Sequence, residues 1–148
     1  MKYPLLFIAT TIWIFSCTEK DDCKELVIPT IHFESDYGCP DTRHSLIINL
    51  TDECIIIRSK ESYDSQVSGS CHPEIDFTLY DLVIGKQSSG NNNASISYDF
   101  RKACPEQELI LTVDLIQGLL TVPDNVVYHA LIPKLGDEET LNIEINVK

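Results

Sequence analysis

The segment closest to the C-terminus constrains the fold most. Leu141, Ile143, Ile145 and Val147 alternate with Asn142, Glu144, Asn146 and Lys148. A period of two places the four apolar side chains on one face of an extended strand. The texture recurs in Ile75-Asp76-Phe77-Thr78-Leu79 and in Ala94-Ser95-Ile96-Ser97-Tyr98-Asp99-Phe100. Leu46–Leu50, Cys54–Arg58, Leu82-Val83-Ile84 and Val126–Ile132 are short β-branched or apolar runs. Leu109–Ile116 is the most apolar and is expected at the centre of a sheet. Leu26–Phe33 is extended too, with Pro29 confining it to an edge or a bend. No segment sustains a 3.6-residue period. The one expected helix is a short turn over 59–66 with Ser59 as N-cap. About eight short strands with frequent turns predict an all-β, mainly antiparallel fold, a β-sandwich or open barrel with at most one short helix.

Two hairpins are expected. Leu46–Leu50 and Cys54–Arg58 flank Thr51-Asp52-Glu53, and Ile75–Leu79 and Ala94–Phe100 flank the polar 87–93 turn. That turn is rich in residues that tolerate positive φ. Its members Ser88, Ser89, Gly90, Asn91, Asn92 and Asn93 are the candidate binding loop.

The N-terminus carries an address. Lys2 precedes an apolar run, Leu5–Phe15, of signal-peptide length. A membrane-spanning helix needs about 20 apolar residues, and Glu19 arrives too soon. Ile14-Phe15-Ser16-Cys17 resembles the bacterial lipobox, with Ser16 as the small residue before the scissile bond and Cys17 as the lipidated residue. Phe15 is bulkier than the usual occupant. Lys20-Asp21-Asp22 is similar to the surface-export signal of Bacteroidetes lipoproteins. These residues imply a signal peptide over 1–16, a lipidated tether over 17–24 and a single β-rich domain over 25–148. They also imply a lipid anchor in the outer membrane, with the domain exposed at the cell surface.

Removing 1–16 leaves about 130 residues, enough for one domain with a core of its own. The formal net charge is −12, and the leader contributes one Lys and no acid. So acidic a chain argues against nucleic acid and anionic lipid as partners. With Cys17 lipidated, Cys23, Cys39, Cys54, Cys71 and Cys104 remain in an oxidising compartment. The expected hairpins pair Cys71 with Cys104 and Cys39 with Cys54, leaving Cys23 as the odd thiol. No C-x-x-C or close His pair suggests zinc, and no D-x-D-x-D-G loop suggests calcium. No metal or other cofactor is expected. His32, His44, His72 and His129 read as surface or partly buried polar residues.

Residues 71–135 resemble a group of Bacteroidetes surface lipoproteins and the C-terminal domain of PrcB-like proteins. Cys71, Ile75-Asp76-Phe77, Tyr80, Leu82, Gly85 and Ile132-Pro133-Lys134-Leu135 carry the resemblance. It implies a role in stabilising a surface protease. The family's Gly-Gly-Tyr type of hairpin is replaced here by Gly90-Asn91-Asn92-Asn93.

No constellation for chemistry stands out. Ser68-Gly69-Ser70-Cys71 is the nearest approach to a nucleophile elbow, and it lacks a Gly on each side of one Ser. It reads as a flexible turn. No P-loop or G-x-G-x-x-G occurs. The expectation is a non-enzymatic surface module that binds a protein or a glycan. The alternatives are a protease-associated stabiliser or inhibitor and, behind it, an unrecognised hydrolase. Cys17→Ala should abolish acyl labelling and release the protein from membranes or leave the precursor uncleaved. Labelling as strong as wild type would refute the lipobox.

Overall fold

The computed structural model describes residues 24–50 and 53–148. The expected signal peptide, Cys17, Lys20, Asp21, Asp22, Cys23, Thr51 and Asp52 lie outside the described residues. The described chain runs β1 (Leu26–Val27), α1 (Phe33–Asp36), α2 (Thr42–Ser45), β2 (Leu46–Ile48), β3 (Glu53–Ile57), α3 (Lys60–Gln66), β4 (Val67–Gly69), β5 (Tyr80–Ser89), β6 (Asn93–Lys102), β7 (Leu109–Gln117), β8 (Asp124–Pro133) and β9 (Leu141–Val147). Strands dominate, as expected. One sheet has the order β1-β6-β7-β9, a second β3-β5-β8, and β2 pairs with β4. All pairings are antiparallel except β7 with β9. β7 leads to β8 in the other sheet before the chain returns as β9, and such a return leaves β9 parallel to β7. The architecture is sandwich-like, without a closed barrel.

The β3-β5-β8 sheet is buried on both faces. Val83, Tyr128, Ala130 and Ile132 meet Phe100, Leu111, Val113 and Leu115 of the larger sheet. On the opposite face, Leu82, Ile84, Val127 and Leu131 meet Phe33, Tyr63, Leu46, Ile48 and Val67. The helices and the β2–β4 pair thus form a third layer. A strand covered on both sides reads as a continuous apolar run, which is the pattern of Leu82–Ile84 and Val126–Ile132. The apolar β7 does lie between two neighbours, but only Leu109, Leu111, Val113 and Leu115 are buried, so its outer face is partly open. A Cβ on Gly85 would run into the Tyr128 ring, which lies across it from the neighbouring strand.

The Ser59 cap is present, its side chain accepting from the Ser62 N–H at 3.2 Å. Two four-residue helices, α1 and α2, join it. Neither expected hairpin forms. β2 pairs with β4, and β3 pairs with β5. Ile75–Leu79 is not a strand: Asp76 accepts from the Thr78 N–H at 2.9 Å and the Thr78 hydroxyl at 2.6 Å. An Asp that bonds the main chain two residues on makes a turn, and here that outweighs the alternating pattern. Ser68-Gly69 belongs to β4 instead of a flexible turn.

The cysteine pairing changes with the strands. β5 and β6 lie in opposite sheets, so the 90–92 turn crosses between sheets and does not close a hairpin. Cys71 and Cys104 are therefore not bridged. Cys71 is bonded to Cys39, with Cα atoms 5.6 Å apart. Cys54 is a free thiol, so the expected Cys39–Cys54 bridge is absent as well. Cys104 is disulfide-bonded, and to none of the other described cysteines. The Cys39–Cys71 bridge joins the loop after α1 to the segment after β4. A closure of this length contributes roughly 3–4 kcal/mol on the chain-entropy account.

Asp81 is fully buried on β5. Lys134 Nζ donates to its Oδ1 at 2.6 Å, and the Leu135 N–H donates to Oδ2 at 3.1 Å. Lys134 also donates to the Arg58 carbonyl at 2.9 Å. One carboxylate thus ties together the ends of β3, β5 and β8. Lys134→Met leaves it without its closest cation, and breaking such a pair costs about 3 kcal/mol. The urea midpoint should fall accordingly. Asp81→Asn in the same chain should restore part of the loss, and a single variant as stable as wild type would contradict the pairing.

Candidate functional site

A concavity opens where the sandwich is not closed. Pro29 has no N–H for a ladder. The chain bonds β6 once more, through Ile28 N–H to Phe100 O at 2.7 Å, and then crosses to β8, where Ile31 and Leu131 exchange two bonds at 2.9 and 3.0 Å. Beyond the crossing, a cleft of about 430 Å³ lies between β6 residues Ala94–Tyr98 and a wall that includes His32, Glu34 and Arg43.

Two imidazoles line this cleft. His32 stacks on Tyr98 with ring centroids 4.6 Å apart, and its Nε2 lies 3.0 Å from Thr30 Oγ1. His129 is 2% exposed, so it is a core residue and not the partly buried one expected. Its Nε2 accepts the Phe33 N–H at 3.2 Å. That nitrogen therefore carries no proton. Glu34, 3.5 Å from the same atom, is a neighbour and not a salt-bridge partner. The proton of the neutral ring sits on Nδ1, which is buried and has no hydrogen-bond partner among the described residues. The His129 main-chain N–H donates to the Tyr98 hydroxyl at 3.0 Å. Burial pushes Tyr98 up. No serine lining the cleft is hydrogen-bonded to either imidazole.

The predicted binding loop divides. Ser88 and Ser89 end β5, Gly90–Asn92 make the crossing, and Asn93 begins β6. Asn92 has a specific task. Its N–H donates to Leu120 O at 3.0 Å, its carbonyl accepts the Gly118 N–H at 2.6 Å, and its Oδ1 accepts the Leu120 N–H at 3.0 Å. A Cβ on Gly118 would run into the Asn92 side chain. These bonds fix the β7–β8 loop, which presents Leu119, Leu120 and Val122 to solvent at 101%, 64% and 58% exposure. Sequence reasoning passed over this loop, although Gly118-Leu119-Leu120-Thr121-Val122-Pro123 is an apolar run bounded by Gly and Pro. It read His129 as a surface or partly buried residue, although a lone polar ring inside the apolar run Val126–Ile132 was the signal for burial.

Among the described residues, no group of three or more His, Cys, Asp or Glu is arranged to hold a metal ion. No protein family, no curated protein and no solved structure matches the chain.

Burial pushes the His129 imidazole down to about 3 from its ordinary 6.5, and His32 adds to the effect. The unfolded chain takes up this proton near pH 6.5, and the folded chain refuses it until about pH 3. The stability held by the neutral ring is complete above pH 6.5 and is lost as pH falls, at up to about 1.4 kcal/mol per pH unit. His44 acts in the opposite sense, because its hydrogen bond to the Asp41 carboxylate raises it. His129→Gln keeps an acceptor for the Phe33 N–H and removes the titration, while His44 is common to both proteins. Between pH 7 and 5, wild type should lose about 2 kcal/mol more than His129→Gln in urea unfolding. Equal losses would show that His129 titrates normally.

Proposed function

We propose that this chain is a lipid-anchored cell-surface module that binds another protein through the loop end of its sandwich and performs no chemistry itself. The observation that supports the reading is the apolar 118–122 loop, held rigid by Asn92 and left uncovered. An exposed apolar patch of this kind marks an interaction site, and a loop already ordered binds at lower entropic cost. The loop has no aromatic ring for stacking on a sugar and no cation for an anionic headgroup, which favours a protein over a glycan or a membrane. Its place in the fold agrees. Leu26, where the tether would join, pairs with Lys102, whereas Gln117 pairs with Asn93 at the other end of the same strand. Ten residues separate the two ends by about 30 Å. With Cys17 in the membrane, the loop faces outward.

A second reading keeps the same loop. Leu119 is fully exposed and free to enter an apolar subsite, which suits a stabiliser or inhibitor of a surface protease, as the PrcB-like resemblance implies.

Photo-cross-linking on intact cells distinguishes these readings. A photoreactive residue at position 119 should give one dominant protein adduct, and one at Glu144 on β9 should not. Leu120→Ser should weaken the adduct about tenfold, as truncating a central apolar contact does. A protease as the adduct selects the second reading. Equal, diffuse labelling from both positions would overturn both.

A further inference from the structure

On the side away from β7, part of β6 has no strand neighbour among the described residues. Arg43 Nη1 donates to Ala94 O at 3.1 Å, and Ile28 N–H donates to Phe100 O at 2.7 Å. Both carbonyls point away from β7. Main-chain groups alternate along a strand, and the pairing with β7 is regular from Ser95 to Lys102. Ile96 and Tyr98 therefore turn their N–H and C=O groups to the same outer side, and no described residue meets them there. The facing edge of β8 is satisfied differently, by Ile31 on Leu131 and by the Tyr98 hydroxyl on His129 N–H. The gap on β6 is bounded at one end by a side chain that imitates the next strand and at the other by the chain just before Pro29.

We propose that this gap takes one extended segment of a partner protein as an added strand along Ala94–Phe100. A strand edge with free N–H and C=O groups is a template for another chain, and an extended peptide supplies donors and acceptors in the alternation that Ile96 and Tyr98 present. The cleft of about 430 Å³ has room for a few residues of a single strand. His129 lines the cleft as well, and its Nδ1–H, buried and without a partner among the described residues, is available to an acceptor on the segment, a carbonyl or a short carboxylate or amide side chain. Main-chain recognition sets where the segment lies, and this one buried donor supplies selectivity. The site uses none of the 118–122 loop, so it stands or falls separately from the loop contact.

Tethering makes the test independent of the unknown natural sequence. Ser35 is exposed and lines the cleft. In the mature chain, Ser35→Cys is joined through a flexible linker and a disulfide to the peptide Val-Thr-Val-Thr-Val, with attachment at position 35 verified by peptide mass. A short linker holds the peptide at an effective concentration of about millimolar. Hydrogen exchange at the Ile96 and Tyr98 amides should slow about tenfold or more, with the β5 and β8 amides unchanged. The same peptide N-methylated at alternate residues should leave both amides fast. Equal protection by the two peptides, or none from the unmodified one, would overturn the proposal. So would protection without peptide that grows with protein concentration, which would assign the edge to a second copy.

Discussion

Everything in this molecule rests on the pairing of β5 with β8. Ten consecutive residue pairs join them, from Tyr80 opposite Pro133 to Ser89 opposite Asp124. Because their sheet is covered on both faces, it forms the floor of two cores at once. Neither the four-stranded sheet nor the layer of short helices packs against anything comparable. A doubly covered sheet tolerates few polar side chains, since each must find a partner away from water. Asp81 and His129 are buried polar residues on these two strands. Asp81 answers with Lys134 and the Leu135 N–H, which turn the chain out of β8. Among the described residues, His129 answers on one nitrogen alone.

The open edge of β6 arises from the path of the chain at Pro29. Pro29 ends the β1 pairing after one further bond, and the chain leaves the larger sheet for the edge of β8. That crossing covers one edge and exposes the other. At the far end of the same strands, Asn92 spends its N–H, its carbonyl and its side chain on the 118–122 loop. The sandwich thus presents two kinds of surface, a recessed main-chain edge and a projecting apolar loop, on a frame whose rigidity comes from its doubly buried sheet.

The candidate site was less legible than the frame. Asn92 lay inside the loop singled out from its polar composition, yet its importance is to hold Leu119 and Leu120, which the reading by polarity passed over. His129 was visible as a polar residue within an apolar run, but its tautomer depends on Phe33, 96 residues away. The Ile96–Tyr98 edge has no sequence signature, because an unpaired strand and a paired one alternate alike.

By itself, the sequence determined most of the strands and their faces. Period-two alternation in β6 and β9, the apolar runs of β5, β7 and β8, the Ser59 cap and the deflection at Pro29 are local consequences of side-chain direction and backbone chemistry, and they survive into the structure. Tertiary structure decided the partners. Ile75–Leu79 became a turn because Asp76 bonds its own main chain, and β5 and β6 parted because each found a larger apolar surface in a different sheet. The disulfides followed, so that Cys71 met Cys39 instead of Cys104. Adjacency in sequence favours a hairpin through the low cost of closing a short loop. Burial of two sheet faces against each other rewards contacts between distant segments far more, and no local pattern records which segments those are.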